Sequence, residues 1–229
     1  MHREKMVIFD LDGTLVDTAP DLINSANFAL RDTISNPINI EESRKIIGKG
    51  GKYLIEKSLL SRNIQLPDDK INQLTLAFLE YYKNNIYQDS KPFSNMIETL
   101  NMLKENDINI AICTNKPEKL TKILLSKMGL LDYFSNIVAG DTLSKMKPDP
   151  LPLLTLIKEK NIKKLNAIMV GDSENDIIAA KLAGIKVIGV TFGYSETEIE
   201  QLNPDYIANN FIDVKEIINL VKSKTNVKL

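Results

Sequence analysis

The stretch Met6-Val7-Ile8-Phe9-Asp10-Leu11-Asp12-Gly13-Thr14 places four consecutive apolar residues directly before two aspartates. An apolar run without alternation is typical of a strand buried on both faces of a parallel sheet. Because ligands bind beyond the carboxyl ends of such strands, Asp10 would lie at a binding edge. Asp12 starts out pointing the same way as Asp10 along an extended chain, and Gly13 permits a sharp turn after it. A strand followed by an ordinary Asp-Gly turn is the simpler alternative.

Four more apolar runs predict further strands of the same sheet, at residues 108–113, 137–139, 167–170 and 186–190. Helical patterns lie between these runs. One begins at Pro117, a good first helical residue, and ends at Gly129, a good C-terminal cap. Another spans residues 174–183 and stops at Gly184. The alternation of strands and helices predicts an α/β fold with a doubly wound parallel-sheet (Rossmann-like) core.

Residues 16–90 differ from the rest of the chain because they lack strand-like runs and show apolar residues at helical spacing. Two such helical faces consist of Leu22, Ala26, Ala29 and Leu30, and of Ile71, Leu74, Phe78 and Tyr81. We therefore predict a helical cap domain at residues 16–90, inserted after the first strand. Residues 1–15 and 91–229 would form the α/β core.

Composition limits the classes of function. The 229 residues carry 29 Lys plus Arg against 30 Asp plus Glu, so no basic excess favours a nucleic acid partner. Cys113 is the only cysteine, which is typical of a reducing compartment, and no apolar run approaches the roughly 18 residues of a membrane span. We expect a cytoplasmic protein without a membrane partner. The only histidine is His2, so catalysis would depend on carboxylates, lysines and hydroxyls.

A second group of polar residues follows the run at residues 108–113. Thr114 and Asn115 come directly after it and precede the helix predicted from Pro117. A helix N-terminus presents free backbone N–H groups and a partial positive charge, which favour phosphate. Thr114 and Asn115 would add side-chain donors, although simple helix capping by either residue is the alternative.

A lysine and an acidic segment complete the set. Lys147 lies in a proline-stiffened segment and could neutralise phosphate charge, or it is an ordinary surface lysine. The run at residues 167–170 leads into Gly171-Asp172-Ser173-Glu174-Asn175-Asp176. Carboxylates of this kind suit Mg²⁺, with helix capping by Ser173 or Asn175 as the competing interpretation. The four groups together would supply a nucleophile, hydrogen-bond donors, a cation and metal ligands at one sheet edge.

These residues resemble the haloacid dehalogenase-like phosphohydrolases. The family's four motifs match in order at Asp10 to Thr14, Thr114, Lys147 and Gly171 to Asp176, so the resemblance spans nearly the whole chain. Three segments further resemble the bacterial phosphoglycolate phosphatases of that family, namely residues 9–21, Ile47-Gly48-Lys49-Gly50 and Thr191-Phe192-Gly193-Tyr194.

The resemblance implies a Mg²⁺-dependent phosphatase acting on a small phosphorylated metabolite, 2-phosphoglycolate in the closest subgroup. Asp10 would attack phosphorus and form an aspartyl phosphate, while Asp12 would protonate the leaving oxygen and later activate water. The implied metal ligands are the Asp10 side chain, the Asp12 backbone carbonyl, Asp172, and Asp176 directly or through water. The implied phosphate-binding residues are Gly13, Thr14, Thr114, Asn115 and Lys147.

The family's helical insert is a mobile cap that closes over the site. The loop at residues 48–52 would face the substrate, and Lys49 or Lys52 would meet a substrate carboxylate, unless the loop is only a flexible turn. It is not a P-loop, since Tyr53 stands where Ser or Thr should bind the metal. We expect a monomer or a homodimer.

Four other functions are considered at this point. A phosphosugar mutase uses the same core, but such relatives usually carry a histidine where this chain has Pro20-Asp21. Phosphatases of pyrophosphate, nucleotides or sugar phosphates are a second possibility. A receiver-type signalling phosphoprotein also combines an acidic cluster with a Thr and a Lys, but the insert and the length of the chain argue against it. A binding protein with an inactive site would not need the full set of catalytic groups.

Overall fold

The computed structural model describes residues 4–48 and 50–225. Its strands are β1 (Met6–Phe9), β2 (Val16–Asp17), β3 (Lys91–Pro92), β4 (Asn109–Cys113), β5 (Asn136–Val138), β6 (Ala167–Gly171), β7 (Lys186–Val190) and β8 (Tyr206–Ala208). Six of them form one sheet in the order β5-β4-β1-β6-β7-β8, and all neighbours in it are parallel. The other two, β2 and β3, form a short antiparallel pair.

The α-helices of the described residues are α1 (Ala19–Leu30), α2 (Ile40–Ser43), α3 (Gly51–Leu60), α4 (Asp68–Asn84), α5 (Met96–Glu105), α6 (Glu118–Lys127), α7 (Leu151–Glu159), α8 (Glu174–Ala183) and α9 (Phe211–Thr225). Each is too short or too polar to span a lipid bilayer.

The α/β fold with a parallel sheet predicted from the sequence is confirmed. Two details differ. The pair β2–β3 and the strand β8 are absent from the prediction, because β2 and β3 do not form unbroken apolar runs, β8 has only three residues, and their pairing depends on other strands. Helix α6 begins at Glu118, one residue after the predicted start at Pro117, because Pro117 has an extended backbone (ψ 142°) and precedes the helix.

The sheet is buried on both faces. Successive residues of a strand point to opposite faces, so Val7 and Phe9 join one apolar cluster while Met6 and Ile8 join another. Helices α5, α6 and α9 contribute to the first cluster, and α7 and α8 to the second. Both faces of every central strand are thereby removed from water, which explains why the strands read as unbroken apolar runs.

Helices α1 to α4 lie between β2 and β3 in the chain. Helix α4 packs against both α1 and α3. Leu22, Ala26 and Leu30 of α1 are buried, as are Leu74 and Phe78 of α4, so the apolar spacing of residues 16–90 indeed belongs to helices. The division of the chain into a core and a cap domain at residues 15–16 and 90–91 stays a prediction.

Candidate active site

Two acidic residues meet because their strands are neighbours. β1 pairs with β6 in register, Phe9 opposite Val170, so the chain leaves both strands at the same sheet edge. The backbone N–H of Asp10 still donates to the carbonyl of Val170 at 2.9 Å. Ligand oxygens of Asp10, Asp172 and Asp176 all lie within 4.8 Å of one another, and all three residues are buried. The sheet thus gathers three carboxylates that are up to 166 residues apart in sequence.

The Asp172 carboxylate is fixed from two sides. Thr14 donates its hydroxyl to Asp172 Oδ1 at 2.9 Å, and the backbone N–H of Tyr194 donates to Oδ2 at 2.7 Å. A Cβ atom added to Gly13 or Gly193 would clash with this carboxylate. Gly13 also has a φ of +81°, which disfavours any side chain. Both glycines therefore make room for Asp172.

Lys147 is the buried cation of the cluster. Its Nζ atom lies 3.0 Å from Asp10 Oδ1 and 2.5 Å from Asp176 Oδ1, and its side chain is 1% exposed. The other Asp176 oxygen accepts the backbone N–H and the hydroxyl of Ser173, forming a capping box at the start of α8. The alternative interpretation of Lys147 as an ordinary surface lysine is therefore wrong, and the helix cap coexists with the acidic cluster.

The cluster carries more negative charge than Lys147 neutralises. Burial, opposed by Lys147 and reinforced by Asp176, raises the pKa of Asp10 to about 7. Burial and the neighbouring Asp10 and Asp176 raise the pKa of Asp172 to about 8. Burial opposes the charged form of Lys147, but Asp10 and Asp176 raise its pKa above the usual value. Clustered hard oxygen donors with unbalanced charge fit a divalent cation.

Asp12 points away from the cluster. Its Oδ1 atom accepts the hydroxyl of Thr18 at 2.8 Å, and Lys116 Nζ donates to Oδ1 at 3.0 Å and to Oδ2 at 3.1 Å. Lys116 Nζ also donates to the hydroxyl of Tyr82 in α4 at 2.7 Å. The side chains of Asp10 and Asp12 therefore have different neighbours, since Asp10 lies beside the other carboxylates and Asp12 beside a second lysine.

Thr114 and Asn115 follow β4, the other neighbour of β1. Thr114 is 4% exposed, and its hydroxyl oxygen accepts the backbone N–H of Lys116 at 3.2 Å. The amide nitrogen of Asn115 donates to the carbonyl of Lys147 at 2.9 Å, which places its Oδ1 atom inside the protein without a partner. Asn115 thus holds the Lys147 segment against the sheet edge, a contact that the sequence analysis did not anticipate.

A cavity of about 70 Å³ lies over this edge. Its lining residues are Asp10, Asp12, Leu22, Ile47, Gly48, Gly50, Gly51, Leu54, Phe78, Leu79, Tyr82, Thr114, Asn115, Lys116, Pro117 and Leu120. Within the described part of the chain, Lys116 is the only Lys or Arg among them. Core residues form the polar floor, and residues of the inserted helices form most of the apolar walls.

The glycines at the start of α3 contribute to the cavity: Gly48 and Gly50 precede the helix, and Gly51 is its first residue. Lys49 lies outside the described residues. Lys52 is half exposed, 3.9 Å from Glu56, and does not line the cavity. The predicted contact between Lys52 and a substrate carboxylate therefore gains no support from this arrangement.

Four residues of the site have no role predicted from the sequence. Tyr194 lies within a quoted segment and Lys116 does not, and their partners Asp172 and Asp12 are 22 and 104 residues away. Thr18 and Tyr82 reach Asp12 directly and through Lys116. The only hint in the sequence is that Lys116 lies between the end of a predicted strand and a proline. A single lysine in such a place is too common to predict a role in the site.

A parallel sheet whose edge carries clustered buried carboxylates and a buried lysine defines the protein as an α/β protein with an acidic cluster that could hold a metal ion. The family follows from the sequence match: residues 7–190 match the model of the haloacid dehalogenase-like hydrolases, and the chain belongs to that family.

Relatives of known name cover most of the chain. A phosphoglycolate phosphatase from Agrobacterium fabrum is 39% identical over 206 residues, which are 90% of this chain and 88% of the relative. A phosphoglycolate phosphatase from Nitrosospira multiformis is 37% identical over 216 residues, 93% and 95% of the two chains. The crystal structure of a "predicted phosphoglycolate phosphatase" from Haemophilus somnus is 33% identical, with a TM-score of 0.87 over 95% of this chain and 98% of its own.

Proposed function

We propose that this chain is a Mg²⁺-dependent phosphatase that hydrolyses 2-phosphoglycolate to glycolate and phosphate through an aspartyl phosphate on Asp10. The observation that carries the proposal is the position of Asp10, at the tip of β1, between Lys147 and two further buried carboxylates. The relatives named phosphoglycolate phosphatases support 2-phosphoglycolate as the substrate.

The proposed reaction has two steps. Asp10 attacks phosphorus, the bond from phosphorus to the ester oxygen breaks, and Asp12 gives that oxygen a proton. Water then attacks the aspartyl phosphate while Asp12 takes a proton from it, which releases phosphate and restores Asp10. Asp10 and Asp12 both line the cavity, so both can reach one bound ester.

Asp10 and Asp172 would hold Mg²⁺, together with the backbone carbonyl of Asp12. Both oxygens of Asp176 already accept hydrogen bonds, from Lys147 and from Ser173, which favours contact with the metal through water. Bound there, Mg²⁺ would supply the positive charge that offsets repulsion between a carboxylate and a phosphate dianion.

Thr114 and the residues that precede α6 would hold the phosphoryl oxygens. They lie at a helix N-terminus, where backbone N–H groups and the helix dipole favour an anion. The amide nitrogen of Asn115 is used by the Lys147 carbonyl, so Asn115 would act through its backbone. Thr14 donates to Asp172, and its proposed role is to orient that metal ligand.

We further propose that residues 16–90 act as a cap domain over a core of residues 1–15 and 91–229. Leu22, Leu54 and Phe78 come from the inserted helices and line the cavity opposite Asp10. Apolar walls exclude water, which strengthens electrostatic interactions with the phosphoryl group and limits side reactions. The cavity is small, with a volume of about 70 Å³, which favours a small ester.

Phosphatase activity on other small phosphate esters is the alternative. Asp21, in the Pro20-Asp21 segment where mutase relatives usually carry a histidine, is 2% exposed and accepts hydrogen bonds from the backbone of residues 88–90. Hydrolysis therefore suits this chain better than mutase chemistry. A cytoplasmic location and a monomeric or dimeric state stay predictions.

A screen of phosphomonoesters with and without Mg²⁺ tests the proposal. We expect the native chain to release phosphate from 2-phosphoglycolate faster than from sugar phosphates, nucleotides or pyrophosphate. Asp10→Asn should lose turnover, by at least about 10⁴-fold, because it removes the nucleophile. Asp69→Asn removes an exposed carboxylate of α4 and should leave turnover unchanged.

The outcomes separate the candidate functions. Full activity of Asp10→Asn would refute the mechanism. A preference for sugar phosphates would reject the 2-phosphoglycolate assignment but keep the phosphatase. Interconversion of sugar phosphates without release of phosphate would establish a mutase.

A further inference from the structure

Lys116 is a buried cation that has no role in the proposed reaction as described above. Its side chain is 3% exposed, in contrast to Lys119, three residues later in α6, which is exposed. Burying an ammonium group is costly unless it is paired and hydrogen-bonded. Asp12 supplies that pairing, since Lys116 Nζ lies 3.0 and 3.1 Å from its two carboxylate oxygens.

Tyr82 aims this ammonium group. It is 1% exposed, its hydroxyl accepts a hydrogen bond from Lys116 Nζ at 2.7 Å, and Nζ lies 4.4 Å from its ring centroid. An ammonium has three donors. Tyr82 and Asp12 occupy them, so Lys116 Nζ is held between helix α4 of the insert and the loop after β1.

Asp12 is consequently held by two donors from different elements, Lys116 and Thr18. These contacts keep its carboxylate at the wall of the cavity that Asp10 also lines. A general base must keep its oxygen within hydrogen-bond reach of the attacking water, and a small displacement costs rate. The contacts of Lys116 therefore bear on the step in which Asp12 takes a proton.

We infer that Lys116, aimed by the Tyr82 hydroxyl, is a positioning residue that holds Asp12 as the general base for hydrolysis of the aspartyl phosphate. In that step the water oxygen bonds to phosphorus, one water proton moves to Asp12, and the bond between phosphorus and Asp10 breaks with its electron pair returning to the Asp10 carboxylate. The inference rests on the proposed function and assigns Lys116 to the second step of the proposed reaction, the hydrolysis of the aspartyl phosphate.

A competing role for Lys116 is to bind the carboxylate of the substrate, because it is the only Lys or Arg among the described residues that line the cavity. Its donors already point to Asp12 and Tyr82, which favours positioning. The two roles predict different kinetics: a substrate-binding residue affects only esters that carry a carboxylate, whereas a positioning residue affects the decay of the phosphoenzyme whatever the donor.

Acetyl phosphate labelled with ³²P separates the two roles, because acetate leaves without being protonated and the donor has no free carboxylate. The native chain, Lys116→Met, Tyr82→Phe and the control Lys119→Met are labelled in Mg²⁺, chased with unlabelled acetyl phosphate and quenched in acid. Circular dichroism checks folding, and Asp10→Asn gives the background.

We expect label on Lys116→Met to decay about 10²-fold more slowly than on the native chain, and phosphoenzyme to accumulate, since general base catalysis contributes at least that factor. Tyr82→Phe keeps the ring and should slow decay about 10-fold through loss of one hydrogen bond to a charged group. Lys119→Met should decay at the native rate.

Unchanged decay in both Lys116→Met and Tyr82→Phe would overturn the inference while leaving the phosphatase intact. Unchanged decay combined with a raised KM for 2-phosphoglycolate would assign Lys116 to the substrate carboxylate instead. If Lys116→Met does not fold, Tyr82→Phe decides the question by itself. A native chain that neither carries label nor releases phosphate would refute the proposed function itself.

Discussion

Gly13 shows how one residue without a side chain shapes the candidate active site. Its backbone has φ +81°, and the space where a Cβ would lie is taken by the Asp172 carboxylate. Thr14, the next residue, donates to the same carboxylate. The turn after β1 thus does two things at once, because it redirects the chain and leaves room for a carboxylate from β6.

We predict that Gly13→Ala displaces Asp172 and weakens divalent cation binding by roughly 10- to 100-fold, the cost typical of disturbing groups that orient metal ligands. Titration with Mn²⁺ followed by electron paramagnetic resonance measures the affinity. Gly129→Ala is the matched control, since Gly129 also has positive φ (+67°) but open space around it. Equal affinities for both variants would show that the close approach to Asp172 is unimportant.

At the scale of elements, the inserted helices are tied to the sheet by polar contacts next to β2. Arg44, in the turn after α2, donates two hydrogen bonds to the carboxylate of Asp17, at 2.9 and 3.0 Å. Tyr194, which follows β7, donates its hydroxyl to Asp17 and its backbone N–H to Asp172. One tyrosine therefore joins the acidic cluster to the base of the insert.

These contacts make part of the free energy of unfolding depend on pH. Burial opposes ionisation of Asp17, but hydrogen bonds from Arg44 and Tyr194 outweigh it and lower the pKa of Asp17. A carboxyl group with a lowered pKa in the folded state stabilises the fold above the unfolded-state pKa of about 4. This contribution is lost as the pH falls through the folded-state value.

We predict that Asp17→Asn is less stable than the native chain at pH 7, by about 1 kcal/mol for a partly exposed pair, and that the difference shrinks by pH 3. Urea unfolding at both pH values measures it. Arg44→Met should show the same trend, and the double variant should lose less than the sum of the two. A difference that stays constant between pH 7 and pH 3 would contradict the role of the ion pair.

At the scale of the whole molecule, the fold brings negative charge together at one edge of the sheet, and this charge governs how the site would respond to a metal ion. Three buried carboxylates share one ammonium, and the pKa values of Asp10 and Asp172 are raised to about 7 and about 8. Close packing of the sheet and its helices fixes these groups, so they cannot move apart to relieve repulsion. A divalent cation would relieve it without any rearrangement.

We predict that Mg²⁺ at about 100 times its Kd stabilises the native chain by about 2.7 kcal/mol, which raises Tm by roughly 5–10 °C over the value in EDTA. Thermal unfolding at matched ionic strength measures the shift. Asp172→Asn should abolish most of it, whereas Asp69→Asn should keep it. An identical Tm in Mg²⁺ and in EDTA would exclude this cluster as a metal site.

The sequence by itself determined the parallel strands, the main helices and the residues that end the strands. These features depend on local periodicity: buried strands are short apolar runs, helices repeat at 3.6 residues, and strand ends in a parallel sheet share an edge. Asp10, Thr114 and Asp172 could be placed together on that basis alone. The bounds of β1 and β7 agree with the runs read from the sequence.

Only the tertiary structure decided which side chains pair across that edge. Three sets of contacts join residues that are not neighbours in sequence. They are the contact between Lys116 and Asp12, the hydrogen bonds from Tyr194 to Asp17 and Asp172, and the pairing of the short strands β2, β3 and β8. Such contacts leave no local pattern, because a lone Lys or Tyr looks the same whether it is buried against a partner or solvated. Packing, which brings these groups together and removes water from them, is a property of the folded chain.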